Sequence, residues 1–319
     1  MRRILVTGAR SPLGRSVVDA LRASPEVEVV RPIESRPARR ERDEDDREDD
    51  VQVVSFVPDH RPLAEYIERE RIEIVIQCGL VSDRNGVASH AREADVIGTM
   101  CTGAAIGYEG SPVRSWVLAS SSAVYPIDSH ASLLQSERHE LPRDEETLAA
   151  SIVEAEDYAR DVAYRHPHIS VAILRLQQLV GPGVEGPMAS LLARDPVPSP
   201  LGFDPAIQLL HLDDAAAALV FAALGELAGL YNVASAGLIH WEDALRAARR
   251  DSISVLPLGV SLVEPLLERL GLPFVPADLL ALLRYGHVVD TRKIEHAGWK
   301  PRYDQPACLA SLARDGARD

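Results

Sequence analysis

A glycine-containing turn near the start of the chain has the residue types and spacing of a phosphate site. The segment TGARSPLG (7–14) lies between the apolar run ILV (4–6) and the amphipathic segment RSVVDALRA (15–23). Glycines let the backbone turn sharply, and the free N–H groups at the start of a helix bind anions with support from the helix dipole. The residues predicted to hold the pyrophosphate of a dinucleotide are Gly8, Ala9, Arg10, Ser11, Pro12, Leu13 and Gly14, with a purely structural turn as the alternative.

An acidic residue stands at the distance from this turn at which dinucleotide-binding proteins recognise a ribose. Glu34 lies about 20 residues beyond Gly14 and follows the apolar run VEVV (27–30). A carboxylate at that place binds the adenosine ribose hydroxyls and repels the 2′-phosphate of NADP. NAD is therefore the predicted cofactor and NADP the less favoured one, although the flanking Arg31 and Arg36 could reverse the preference.

The overall composition limits the classes of partner. The chain has 319 residues, of which 46% are hydrophobic, and a formal net charge of −14 at pH 7. Because nucleic acids and anionic membrane surfaces attract positive charge, neither is expected as a partner. The three cysteines (Cys78, Cys101 and Cys308) lack metal-ligand spacing, so no metal site is predicted. With no recognisable signal peptide and no apolar run of membrane-spanning length, we expect a soluble, cytoplasmic protein.

Short β-branched runs alternate with segments long enough to form crossover helices. Such alternation, with strands that are apolar on both faces, predicts an α/β fold: a doubly wound parallel sheet of the Rossmann type with a small C-terminal helical cap. We expect a dinucleotide-binding domain at 1–179, its sheet completed by 208–235, and a substrate-binding cap formed by 180–207 and 236–319. The predicted strands are 4–8, 27–30, 51–54, 72–77, 115–120, 170–176 and 230–234.

Further motifs follow in the order found in a known family. They are DVIGT (95–99), SSSAVY (120–125), ILRLQQLVGPG (173–183), LLHLDDAAAAL (209–219), GLYNVASAG (229–237) and VDTRKIEHAGWKPR (289–302). Together with the TGARSPLG turn, they resemble the motifs of the extended (atypical) short-chain dehydrogenase/reductases, in the NAD-dependent epimerase/dehydratase branch that includes UDP-galactose epimerase. The resemblance covers nearly the whole chain, and it implies a Rossmann fold, NAD as cofactor and a nucleotide-sugar-like substrate.

The resemblance also implies roles for single residues. Ser121, four residues before Tyr125, matches the catalytic serine or threonine of the family. Asp95 stands where the family commonly has an asparagine. The positions that match residues holding or lining the cofactor are Gly8, Ser11, Gly14, Glu34, Cys78, Gly79, Leu80 and Asp95.

The catalytic pair of that family is missing from the chain. LAASIVEAE (148–156) matches the family string YAASKxxAE without a gap, which places Leu148 and Ile152 at the positions of the catalytic tyrosine and lysine. In active members the tyrosine hydroxyl transfers the proton, while the lysine lowers the tyrosine pKa and binds the nicotinamide ribose. Ala155 and Ala159 extend the same helical face, and no titratable group is expected to replace the pair along it.

Two functions fit this pattern. The first is an NAD-binding protein of the epimerase/dehydratase family that is non-catalytic or regulatory, with Ser121 as a residual catalytic residue. The second is an NAD-dependent epimerase, dehydratase or reductase that acts on a nucleotide-sugar-like substrate with relocated acid–base residues. Tyr125, His130 and His139 are weaker candidates for those relocated groups.

A homodimer is expected in either case. Relatives pair through two helices that correspond here to about 88–107 and 146–165. These segments hold more apolar residues than one core-facing stripe needs. The apolar residues are Val96, Ile97, Met100, Ile152, Val153 and Val162.

Overall fold

The computed structural model of the chain describes residues 1–37, 51–57, 59–78, 96–139, 141, 148–184, 186–255 and 277–315. The chain divides into two compact units. The first comprises Met1–Val124, Glu140–Leu176 and Ala215–Asn232, and the second comprises Tyr125–His139, Gln177–Asp214 and Val233–Asp319. None of the described helices has the length and hydropathy that a membrane crossing requires.

The strands and helices of the described ranges are named here in chain order. The strands are β1 (Arg2–Thr7), β2 (Val27–Pro37), β3 (Gln52–Val57), β4 (Ile74–Gln77), β5 (Ser115–Ser121), β6 (Leu134–Gln135), β7 (Ser170–Leu176), β8 (Gln178–Val180), β9 (Val197–Pro200), β10 (Ala206–Ile207), β11 (Leu209–His211), β12 (Gly229–Val233), β13 (Ile239–His240), β14 (Ser252–Val255) and β15 (Val288–Val289). The helices are α1 (Pro12–Arg22), α2 (Arg61–Glu70), α3 (Gly98–Ile106), α4 (Leu148–Arg165), α5 (Pro187–Leu192), α6 (Leu212–Leu224), α7 (Trp241–Ala248), α8 (Ala277–Tyr285), α9 (Arg292–His296) and α10 (Gln305–Asp315).

A seven-stranded sheet forms the centre of the first unit. Its strands lie in the order β12-β7-β5-β4-β1-β2-β3, and the pairs from β3 through β7 are parallel. Strand β4 is buried along its whole length, as expected for a parallel sheet with helices on its faces. This strand order is that of a doubly wound dinucleotide-binding sheet, so the predicted fold class is confirmed.

All seven predicted strands occur, and they are the seven strands of this sheet. The domain bounds differ from the prediction, which placed 208–235 in the sheet. Strand β12 joins it, but β11 pairs with β8 in a parallel two-stranded sheet of the second unit. The first unit accordingly ends its middle segment at Leu176 instead of residue 179. Residues 125–139 also belong to the second unit, because β6 pairs with β15 there.

The second unit is built from short strand pairs as well as helices. Besides β8–β11 and β6–β15, strand β9 pairs with β14 and β10 pairs with β13. Its core packs around Trp241, which is fully buried. Asp214 is also buried, and its carboxylate accepts the N–H groups of Arg302 at 2.9 Å and Tyr303 at 3.1 Å. These bonds tie the C-terminal segment to the start of α6.

A buried ion pair fixes helix α4 to the sheet of the first unit. Glu156 on α4 and Arg175 on β7 are 0% and 1% exposed. The carboxylate accepts hydrogen bonds from Arg175 Nε at 2.9 Å and Nη2 at 2.5 Å, and from the Ser120 hydroxyl of β5 at 2.5 Å. Arg160 adds a further bond at 2.8 Å from a half-exposed position. Because buried charges are tolerated when they are paired and hydrogen-bonded and single ones are not, α4 has one position against β5 and β7.

Removing one partner of this pair is expected to destabilise the protein strongly. Arg175→Met leaves the Glu156 carboxylate buried without its main counter-charge, and should lower the free energy of unfolding by about 3–5 kcal/mol. Arg160→Ala, which removes an exposed partner, should cost less than about 1 kcal/mol. The double variant Glu156→Met with Arg175→Met should regain most of the loss in urea unfolding. Equal effects of Arg175→Met and Arg160→Ala would contradict this account.

Candidate functional site

The turn between β1 and α1 is closed by its own hydrogen bonds. Gly8 has a φ of +69°, a conformation that favours glycine and turns the chain after β1. Ser11 caps α1, because its Oγ accepts the Gly14 N–H at 3.0 Å and donates to the Gly8 carbonyl oxygen at 2.8 Å. Pro12 is the first residue of the helix, where no intrahelical N–H bond is needed. A serine in the place of a middle glycine therefore stabilises the turn.

Gly14 lies where no side chain fits. A Cβ at this position would lie 2.2 Å from the Gly8 carbonyl oxygen and 2.7 Å from the Ala9 Cα. Both are backbone atoms, so a side chain would push α1 away from the turn. The glycine thus allows the N-terminus of α1 to approach the carboxyl end of β1, which is the geometry that binds a pyrophosphate.

Most backbone N–H groups of the turn are used within the protein. Ala9 donates to the Ile33 oxygen at 3.3 Å, Arg10 to Glu34 Oε2 at 3.2 Å, Ser11 to the Gly8 oxygen at 3.1 Å and Gly14 to Ser11 Oγ at 3.0 Å. Pro12 has no N–H. In this segment of the described chain, the N–H of Leu13 makes no hydrogen bond. Leu13 is therefore the turn residue whose amide can donate to a phosphate, with the helix dipole adding to it.

Glu34 and Cys78 lie at the same edge of the sheet as the turn. The bond from the Arg10 N–H to Glu34 joins the end of β2 to the turn. Cys78 follows β4, and its N–H donates to the Thr7 oxygen at 3.0 Å. Burial raises the pKa of the Cys78 thiol, and the charge of Glu34 raises it further, so the thiol stays protonated. Three other predicted residues lie outside the described ranges: Gly79, Leu80 and Asp95.

Helix α4 carries Leu148 and Ile152, the two residues predicted to stand at the positions of the catalytic pair. Leu148 is its first residue, and Ile152 follows one turn later with its side chain fully buried. Ala155 and Ala159 are also fully buried, so an apolar stripe of α4 packs into the core. An isoleucine neither transfers a proton nor donates to a ribose hydroxyl. The residue predicted to stand at the position of the family lysine therefore packs in the core.

A titratable residue, Glu156, lies on the face of α4 along which no group was expected to replace the catalytic pair. Glu156 is one turn beyond Ile152, and side chains four residues apart share a helical face. It is fully buried, yet both of its oxygens are engaged by Ser120, Arg160 and Arg175. Glu156 is thus part of a structural ion pair and is not a free proton acceptor. The Ala-Glu that ends the motif LAASIVEAE was the sequence pattern that could have indicated it.

Ser121 was predicted to be a residual catalytic residue, and Tyr158 is a further titratable side chain of the first unit. Ser121 is half-buried at the end of β5, and its Oγ accepts the Ala123 N–H at 3.2 Å, which caps a 3₁₀ turn at Ser122–Val124. Tyr158 packs against α3, where a Cβ on Gly103 would lie 2.7 Å from its ring. Burial raises the pKa of Tyr158, which keeps its hydroxyl protonated. Neither side chain supplies a proton acceptor near neutral pH.

A separate cavity of about 160 Å³ lies within the second unit and borders a histidine that sequence analysis missed. His287 is 3% exposed, and neither of its ring nitrogens has a hydrogen-bond partner. Burial lowers the pKa of His287 to about 4, so the ring is neutral at pH 7. By contrast, the predicted loop residue His139 bonds Gln135 Oε1 at 2.8 Å. The cavity is lined by Ile127, Asp128, Ser132, Leu133, Tyr285 and His287.

Comparison with known proteins gives the family of the chain. The model of the NAD dependent epimerase/dehydratase family matches residues 4–234, and the chain belongs to this family. An uncharacterized protein of Mycobacterium tuberculosis (strain ATCC 25618 / H37Rv) is 30% identical over 245 residues. The match covers 76% of this chain and 65% of that relative, so the chain spans less than two thirds of the relative's length.

Solved structures of the same fold are epimerases and dehydratases. A dTDP-glucose 4,6-dehydratase from Bacillus anthracis in complex with NAD superposes with a TM-score of 0.71 at 14% identity, covering 100% of this chain and 97% of that one. A UDP-glucose 4-epimerase from Bifidobacterium longum in complex with NAD+ and UDP superposes with a TM-score of 0.71 at 16% identity, covering 99% and 98%. At these identities the likeness establishes the fold.

Gly14→Ala is expected to disrupt the turn. Because the new Cβ would contact the Gly8 oxygen at 2.2 Å, α1 must shift, and both stability and dinucleotide binding should fall. Gly98→Ala is the matched control, since no atom lies within 4 Å of a Cβ built there and a helical alanine is favoured over glycine by about 1 kcal/mol. Thermal unfolding and calorimetric titration with NAD would measure both effects. Unchanged NAD binding by a folded Gly14→Ala variant would exclude the turn as the pyrophosphate site.

His287 should make the protein less stable as the pH falls. Its pKa of about 4 in the folded state is below the ordinary value of 6.5, so the unfolded chain binds the proton more tightly. Stability is therefore lost as the pH falls from 6.5 towards 4, by about 2 kcal/mol between pH 7 and pH 5. Urea unfolding should show this loss in the wild-type protein and in His130→Gln, but not in His287→Phe. If the free energy of unfolding depended on pH identically in all three proteins, the loss of stability could not be assigned to His287.

Proposed function

We propose that this protein binds NAD and does not carry out the tyrosine–lysine chemistry of its family. The observation that carries the proposal is the fully buried Ile152 on α4, at the position of the family lysine. The turn at 8–14 and Glu34 supply the groups for a dinucleotide, whereas α4 supplies none for proton transfer. A regulatory role, in which the bound nucleotide controls the protein instead of reacting, fits this combination.

The residues that would hold NAD belong to the first unit. The Leu13 N–H and the N-terminus of α1 would bind the pyrophosphate, and the Glu34 carboxylate would accept the adenosine ribose hydroxyls. When bound, NAD supplies a hydride acceptor. Ser121 could donate its hydroxyl hydrogen to a ligand but has no partner on α4 to pass a proton to. Bound NAD with no turnover is the expected state.

NAD and NADH should bind more tightly than NADP and NADPH. The Glu34 carboxylate lies at the end of β2 beside the turn, where it would repel a 2′-phosphate. Glu34→Gln keeps the shape of the side chain and removes its charge. It should weaken NAD binding, since hydrogen bonds to charged groups contribute about 1.5–3 kcal/mol. It should also bring the affinities for NAD and NADP closer together. Calorimetric titration of the wild type and the variant measures this. Equal affinities of the wild type for NAD and NADP would instead indicate that Arg31 or Arg36 selects the cofactor.

A second function is favoured by His287. The neutral, buried imidazole borders a cavity and has ring nitrogens without a hydrogen-bond partner, which a ligand hydroxyl could meet, although its pKa of about 4 makes it a weak base. If His287 replaced the family tyrosine, the protein would be an NAD-dependent epimerase, dehydratase or reductase acting on a nucleotide-sugar-like substrate. The named ligands of the structural relatives, UDP-glucose with NAD among them, support this substrate class.

A turnover assay separates the two functions. We expect no NAD-dependent oxidation or epimerisation of UDP-glucose or UDP-galactose above background, because α4 offers no proton acceptor. The assay follows NADH absorbance and the sugar products by chromatography. Turnover by the wild type that is lost in His287→Phe and kept in His130→Gln would establish the second function and refute the first.

We also propose a cytoplasmic homodimer. The two helices expected to form the dimer interface expose fewer apolar side chains than predicted. Val96, Ile152, Val153 and Val162 are buried within the chain itself. Met100 on α3 stays 44% exposed and Tyr164 on α4 stays 86% exposed. These two side chains are the described apolar surface available for pairing. In the described part of the chain all three cysteines are free, as in a reducing compartment.

A further inference from the structure

The polar groups that a dinucleotide would meet in the first unit lie at one end of its site. The Leu13 N–H and the N-terminus of α1 would face a diphosphate, and the Glu34 carboxylate would face the ribose attached to it. The first two follow the carboxyl end of β1, and Glu34 lies in the C-terminal half of β2. These groups recognise a ribonucleoside diphosphate, whatever is attached to its second phosphate.

Under the proposed function, the second ribose of NAD would meet α4 at Leu148 and Ile152, and the described face of α4 that carries Ile152 is apolar. Ile152, Ala155 and Ala159 are fully buried, and Glu156 has both carboxylate oxygens occupied by internal donors. In the described part of α4, no side chain on this face is free to bind a second ribose. The residues present therefore fit one half of NAD and do not fit the other.

We propose that the site recognises the ribonucleoside diphosphate half of its ligand and is indifferent to the second ribose and the nicotinamide. This inference rests on the proposed dinucleotide site. Each net hydrogen bond changes affinity about two- to tenfold, so the loss of a lysine and a tyrosine removes the main discrimination between NAD and its fragments. NAD+, NADH, ADP-ribose and ADP then compete for one site with similar affinities.

The consequence is a binding protein that does not sense the redox state of its ligand. The nicotinamide ring is where NAD+ and NADH differ, and the described residues on the apolar face of α4 would offer it neither a charge nor a hydrogen bond. Occupancy would follow the total concentration of adenine diphosphate ligands. A regulatory output controlled by such a site would respond to ADP or ADP-ribose as strongly as to NAD+.

The test is a calorimetric titration of the full chain with NAD+, NADH, ADP-ribose, ADP and AMP. The first four should have dissociation constants within about threefold of each other, and AMP should bind at least tenfold more weakly because it lacks the second phosphate. Glu34→Gln should weaken the first four by the same factor. NAD+ or NADH binding at least tenfold more tightly than ADP would overturn the inference and leave the proposed NAD binding intact. Absence of binding by all of them would overturn both.

Saturation-transfer NMR on the wild-type protein with NAD+ gives a second, independent readout. Transfer to the adenine and adenosine-ribose protons should exceed transfer to the nicotinamide protons several-fold. Equal transfer to both ends would overturn the inference. Leu148→Tyr with Ile152→Lys, if it folds with a buried lysine, should raise the affinity for NAD+ and ADP-ribose over ADP at least fivefold, since both carry the second ribose. If the affinities for NAD+ and ADP-ribose relative to ADP were unchanged in the folded variant, that result would also count against the inference.

Discussion

The buried ion pair between Glu156 and Arg175 is the constraint on which the first unit depends. It joins α4 to β7, and the Ser120 hydroxyl extends the contact to β5. Two buried charges are stable only as a complete pair, so α4 cannot rotate or slide without leaving a charge unpaired. This fixes which side chains of α4 enter the core. Ile152 enters the core one turn before Glu156, so this position of α4 holds an apolar side chain that cannot transfer a proton.

The turn at 8–14 and helix α4 depend on different kinds of interaction. The turn at 8–14 is held by backbone contacts and by the cap of Ser11, so it needs only a few residue types, and the sequence retains them. Under the proposed function, the loss of proton transfer comes from Leu148 and Ile152 on α4, while the ion pair keeps the helix in place. The chain would then have lost the tyrosine–lysine chemistry of its family and kept its fold and the turn proposed to bind the nucleotide.

The sheet could be predicted from the sequence because parallel strands are apolar on both faces and appear as continuous runs. The seven runs identified are the seven strands of the sheet. The pairing of β11 with β8 could not be predicted, since a three-residue run before a helix does not reveal its partner. Glu156 was missed because its partners Ser120 and Arg175 are distant in sequence. The same holds for His287, which has no motif around it and is conspicuous only through its burial and its unpaired nitrogens.

The central claim is that the protein binds NAD at a site without a proton-handling group. The most direct test is a calorimetric titration with NAD+ at pH 8 in several buffers of different ionisation enthalpy, which counts the protons exchanged on binding. The account predicts binding with no net proton exchange, because no tyrosine–lysine pair titrates against the cofactor and His287 is already neutral. Binding accompanied by the uptake or release of a substantial fraction of a proton would show that a titrating group faces the nicotinamide, and would contradict it.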